Sequence, residues 1–197
     1  MSEIKKIQQE VLSGLCEDLN KRHIAAILAG EEEEKYLSLI INGLPVKGDI
    51  FMDIAFMPVR PEMKEISFCV LECRFPDHAD FSPEETAELS VALAALNSGL
   101  GAGSYYFKLS EGEDEDESVR TGELTYRYTV PVVPEFSVGN FVETLNRALD
   151  MAFFDLKKTL SPLFSLINKE ITNEEFVKII FAPGAENINC CIVKGMR

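Results

Sequence analysis

The sequence predicts an α+β fold, an antiparallel sheet with helices packed against it, and three observations carry that expectation. Apolar spacing switches from a helical to a strand-like period near residue 23 and back again at residue 82. Four strand-like runs follow one another across short turns, whereas parallel strands need crossovers of a dozen or more residues. The elements also come in blocks rather than alternating, in the order α-β-β-β-β-α-β-β-α plus a short C-terminal helix.

Residues 3 to 21 place Ile4, Ile7, Val11, Leu15 and Leu19 three and four apart, with Lys5, Lys6, Gln9, Glu10 and Asp18 elsewhere on the wheel, which is a helix with one apolar face. The strand runs are Ile24 to Ala29, Tyr36 to Ile41, Asp49 to Met57 and Glu65 to Phe75. They are punctuated by Glu31 to Glu34, Asn42-Gly43-Leu44-Pro45 and Pro58-Val59-Arg60-Pro61. Residues 82 to 98 carry a complete start signal: Ser82 as N-cap, Pro83 at the first helical position and Glu85 to close a capping box. Leu89, Leu93 and Leu96 form the stripe, and Asn97-Ser98-Gly99 ends it. Two more strands, Tyr105 to Leu109 and Glu123 to Val130, flank an acidic loop at residues 110 to 122. A long helix opens at Ser137 with Phe141, Leu145, Leu149, Phe153, Leu156 and Leu160 on its stripe, and Pro162 is expected to kink or end it. Thr172 with Glu175 starts a last short helix that Pro183-Gly184 closes, and residues 185 to 197 show no clear period. With no fixed repeat and no Pro/Ser linker, one domain over 1–197 is expected, its core at 3–168 and a C-terminal extension at 169–197.

The chain has 33 acidic and 19 basic side chains, a formal charge of −14 over 197 residues, which argues against nucleic-acid binding because duplex affinity rests on clustered Lys and Arg. Glu31 to Glu34 and Glu111, Glu113, Asp114, Glu115, Asp116 and Glu117 hold ten of these carboxylates. Without them the count is 23 acidic against 19 basic, or −4, so the excess charge belongs to two hairpin tips that solvation explains. The acidic run lacks the glycine and distant glutamate of an EF-hand. No apolar run approaches the ~20 residues of a membrane span, and the start has no signal-peptide pattern, so a cytoplasmic protein off the membrane is expected.

Five cysteines fit reduced thiols. Cys69 and Cys73 sit four residues apart on a strand, about 13 Å along one face and beyond the reach of a disulfide, and read as core thiols. Cys190-Cys191 lies near the end of the chain. Gly99-Leu100-Gly101-Ala102-Gly103 leaves a helix and enters a strand, the reverse of a phosphate cradle, and reads as a C-cap and tight turn. His23 and His78 belong to no metal or protease pattern, and no G-x-S-x-G elbow exists. His78, between Asp77 and Asp80, is the one candidate for a histidine–carboxylate acid/base centre.

The apolar load of one strand stands out. In Ile50-Phe51-Met52-Asp53-Ile54-Ala55-Phe56-Met57 only Asp53 interrupts either face, and a strand apolar on both faces must be covered on both. The main helices can cover one. The other is left for a second subunit or a polypeptide, unless the N-terminal helix and C-terminal segment reach it, and Phe51, Met52, Phe56 and Met57 are the contact candidates.

The helix and turn from Leu89 to Leu100, the aromatic strand Tyr105 to Leu109, the acidic turn and the strand Leu124 to Pro131 before a long amphipathic helix resemble the type III secretion chaperone-like fold, and within it the YbjN-like proteins. There a leucine-rich helix ending in Leu-Asn leads to a hairpin whose second strand runs into a Leu-Pro-Leu-like stretch, here Val130-Pro131-Val132. The resemblance spans roughly residues 3 to 168 in element order. It departs in one extra strand before the helix, a long 110 to 122 loop and an unmatched segment after residue 170. It implies an acidic, cytoplasmic, usually dimeric protein without cofactor that binds an unfolded stretch of a partner, or a regulatory role. The expectation is a non-enzymatic, homodimeric polypeptide-binding or chaperone-like/regulatory protein. An enzyme using His78 with neighbouring carboxylates and a small-ligand sensor are the alternatives.

Overall fold

The computed structural model describes residues 3–31, 34–42, 44, 49–57, 67–75, 79–109, 120–132 and 137–182. The elements run α1 (Glu3–Lys21), β1 (Ala26–Ala29), β2 (Tyr36–Ile41), β3 (Ile50–Phe56), β4 (Ser67–Arg74), β5 (Ala79–Phe81), α2 (Pro83–Gly99), β6 (Ser104–Leu109), β7 (Arg120–Val132), α3 (Val138–Ile167) and α4 (Asn173–Ile180). The α+β class and the element order are those read from the sequence, with β5 added. Its three residues are too few for any period to show.

Every strand pairing is antiparallel, in the order β1-β2-β3-β4-β7, with β5 and β6 also on β7. β4 and β6 both pair with residues 125 to 127, so they lie on opposite sides of β7, and β5 continues along the β4 side. β5 pairs with Arg120 to Gly122, beyond the stretch of β7 that pairs with β4.

The register sets the faces. Leu37, Ile54, Leu71 and Tyr128 lie opposite one another across four strands, as do Leu39, Met52, Cys73, Tyr126 and Tyr105 across five. This side carries the helices. Val11, Leu12, Leu15 and Leu19 of α1, Phe141, Leu145, Leu149, Leu156 and Leu160 of α3, and Leu89, Leu93 and Leu96 of α2 are all buried with it in one core. Cys69 and Cys73 are buried and unpaired there, and burial pushes both thiols far up.

Both capping boxes form, Ser82 with Glu85 and Thr172 with Glu175. Two expectations need correction or extension. Pro162 does not end α3, which runs on to Ile167. Pro162 is itself buried, as are Leu160 and Leu163 at 0 % exposure, so packing outweighs the roughly 3 kcal/mol an interior proline costs. The core also runs past residue 168, because α4 packs on α2 and α3 and inserts Phe176 and Ile180. No helix among the described residues is long and apolar enough to cross a membrane.

Candidate functional site

Alternation places the residues of β3 on two different surfaces. Ile50, Met52 and Ile54 are buried under the helices, and Met52 is 0 % exposed. Phe56 points the same way but sits at the rim, half-buried, its ring 5.9 Å from that of Phe141. Phe51 faces the other side and is 50 % exposed, and Met57, just past the strand, is 46 % exposed. The four contact candidates therefore do not form one patch: Met52 is core, Phe56 and Met57 meet at the strand end, and Phe51 stands apart on the open face.

The Phe56–Met57 end opens into a cleft of about 880 Å³. One wall is the first half of α1, with Ile4, Lys5, Gln8, Gln9 and Leu12. The other is the start of β2 and the end of β3, with Glu34, Lys35, Tyr36, Asp53, Ala55, Phe56 and Met57, and Arg74 reaches in from β4. The α1 stripe explains the wall. Val11, Leu15 and Leu19 dock on the core, while Ile7 and Ile4, one and two turns earlier, extend past it and stay about half exposed. An apolar floor is thus framed by three cations and two anions.

The middle of the open face is ionic. Glu72 on β4 accepts from Arg74 Nε at 2.9 Å, from Arg127 Nε at 3.0 Å and Nη2, and from Tyr106 Oη at 3.1 Å. Arg127 also lies over the Tyr106 ring, 5.1 Å from its centroid. Partial burial pushes the Glu72 carboxyl up, but the hydrogen bonds from Arg127 and Arg74 outweigh it and hold the group below the usual carboxylate range. One lane over, Ser38 donates to Asp53 at 2.8 Å.

The edge strands β1 and β6 are each pinned at one residue by an asparagine near the end of the preceding helix. Asn20 of α1 gives Nδ2 to the Ala26 carbonyl at 2.9 Å and takes its N–H at 3.4 Å. Asn97 of α2 gives Nδ2 to the Tyr105 carbonyl at 2.8 Å and takes its N–H at 2.7 Å. Each side chain occupies the backbone groups that an incoming strand would use.

The glycine turn after α2 is an anion nest whose anion is the chain's own. The N–H groups of Gly101, Ala102 and Gly103 point at the Asp155 carboxylate at 3.4, 3.2 and 3.2 Å, and Tyr126 Oη donates to it at 3.0 Å. Gly103 is required there, since a Cβ would lie 2.3 Å from the Tyr126 ring. Tyr105 Oη pairs with Thr159 Oγ1 at 2.7 Å, and Thr159 in turn donates to the Asp155 carbonyl.

No family model matches the chain, and no curated protein does. Among solved structures it is similar to the crystal structure of YbjN from E. coli. The identity is 12 %, over 80 % of this chain and 93 % of that one, with a TM-score of 0.42.

His78, residues 110 to 119, Glu32, Glu33 and Cys190-Cys191 lie outside the described residues. The reading of the sequence missed the cleft, the Glu72 cluster and the Asp155 nest. Asp155 alone left a signal, an acid set among Ala148, Ala152, Leu156 and Thr159 on the buried stripe of α3.

Proposed function

We propose that this chain is a non-enzymatic polypeptide-binding protein, chaperone-like or regulatory in role, that holds a segment of its partner in the cleft between α1 and the β2–β3 end. The observation that carries this reading is the exposed pair Ile4 and Met57, with Phe56 behind them, around one cleft ringed by charges of both signs. Such a lining suits a segment with one or two apolar anchors flanked by polar residues. The pinned edges disfavour strand addition, so affinity comes from side chains in the cleft rather than from a backbone ladder.

The test begins with peptides selected by display on the immobilised protein. Their affinity is then measured by calorimetry for the wild type, Met57→Glu and Val91→Glu, the last on the exposed side of α2. Met57→Glu is expected to weaken binding about tenfold or more and Val91→Glu to leave it unchanged. Peptides that bind all three alike, or no enriched peptide, contradict the reading.

The cleft volume also favours a second reading, a small-ligand sensor, since ligand pockets run about 300–1,000 Å³. A metabolite that raises Tm in the wild type and not in Met57→Glu would support it.

A further inference from the structure

We infer that the stretch of β7 that runs on past β6 is a docking edge for this chain's own residues 188 to 193, which lie outside the described residues and add a strand there. The contact does not depend on what fills the cleft.

The edge itself is the first argument. β6 reaches only as far as Ser104↔Arg127, whereas β7 runs on to Val132 and from Tyr128 onward is paired with β4 alone. Asn97 takes the backbone N–H and C=O of Tyr105, so these point away from β7. By alternation Arg127 and Thr129 then aim theirs at the β6 lane, and Tyr126, Tyr128 and Val130 aim theirs at β4. The Thr129 N–H and the Thr129 and Pro131 carbonyls thus have no ladder partner among the described residues, and both residues are exposed. Pro131 belongs on such an edge, because its ring nitrogen has no proton to give. Asn20 and Asn97 guard Ala26 and Tyr105 and leave this stretch uncovered.

The second argument is the course of the chain. α3 runs antiparallel to β7, from Phe141 beside Phe56, on the rung of Val130, to Asp155 on Tyr126. α4 then brings Phe181 over Gly99, where a Cβ would lie 2.6 Å from its ring. Gly99 opens the turn that leads into Ser104, so the chain passes Ala182 close to the point where β6 leaves its lane beside β7. Six residues, up to about 20 Å of extended chain, carry it from Ala182 to Ile188. A strand entering there runs parallel to β7, and α3 with α4 supplies the helical crossover that a parallel neighbour needs.

The third is chemistry. Within a region that has no period as a whole, Ile188, Cys190 and Ile192 stand two apart and share one face of an extended segment. Met151, 44 % exposed, lies one turn before Asp155 and so on the side of α3 that meets the glycine turn, where it gives that face an apolar neighbour. The residues from 185 onward hold Lys194 and Arg197 against Glu186, which draws them to a chain whose total is −14. Tethered so closely, the segment stands at an effective concentration on the order of millimolar, ahead of any free segment.

Two measurements on the full chain decide the matter. The first is hydrogen exchange read at the single amide of Thr129, in the wild type and in the double variant Ile188→Pro with Ile192→Pro, whose prolines break the added strand. The wild-type amide is expected to exchange more slowly by about tenfold or more, and equal rates overturn the inference. The second is a disulfide trap, in which Thr129→Cys and the α2 control Val91→Cys are oxidised with diamide. Thr129→Cys is expected to link to Cys190 or Cys191 within one chain, at the 22.0 kDa chain mass, and Val91→Cys is expected to give no such link. A link that joins two chains, no link at all, or an equal yield from Val91→Cys overturns the inference.

Discussion

The two faces of the sheet are made from alternate residues of the same strands, yet they follow different rules. Beneath the helices, Ile50, Met52 and Ile54 of β3 are closed off from water, and the one buried carboxylate among the described residues, Asp155 at 3 % exposure, is met by three backbone N–H groups and a tyrosine hydroxyl. On the open side Phe51 stands in solvent, and Glu72 is met by two arginines and a tyrosine whose outer surfaces still reach water. Both carboxylates are fully partnered, so partner number does not distinguish them. What differs is where the partners could turn if the carboxylate were lost: the Tyr126 hydroxyl beside Asp155 is buried, and the arginines around Glu72 reach water.

The sharpest way to break that contrast is to remove each acid in turn. Asp155→Ala leaves the buried Tyr126 hydroxyl and three partly buried N–H groups without their acceptor and is expected to cost about 2–4 kcal/mol, whereas Glu72→Ala is expected to cost ~1 kcal/mol or less. Urea unfolding of the two variants measures both, and equal costs would refute the distinction. Apolar truncation should repeat the pattern on a single strand. Met52→Ala is expected to lose about 2–4 kcal/mol through the cavity it leaves, and Phe51→Ala under ~1 kcal/mol.

The smallest effect is one of pH. Because the folded Glu72 carboxyl lies below its usual value, its contribution is complete above the unfolded value of about 4.3 and is lost as pH falls through the folded one. The stability gap between wild type and Glu72→Gln should therefore narrow from pH 7 toward pH 3. A gap that widens on acidification would show that the sign of this linkage is wrong.

What the sequence disclosed follows the range of the interactions. Both capping boxes span three residues, and the α1 and α3 stripes repeat every three or four, so each was legible locally. Register follows once the meander is seen, which is why β1 to β4 landed where the runs of apolar residues lie. Pro162 misled because the local cost of a proline is visible in a sequence, while the burial of the proline itself, which offsets it, is not. Asp155 and the glycine turn are more than 50 residues apart, so the turn could be read as a C-cap but not as a nest. The cleft draws on α1, β2, β3 and β4 together, and only Phe56 and Met57 had been singled out among its lining residues.

The proposed partner polypeptide lodges at the α1–β3 cleft and leaves α2 and α4 untouched. Hydrogen exchange read by mass spectrometry, on the full chain with and without a display-selected peptide, tests it most directly. Slowed exchange confined to residues 4 to 12, 34 to 41 and 50 to 57 is the expected result. Slowed exchange along α2 and α4, with those segments unchanged, would contradict it.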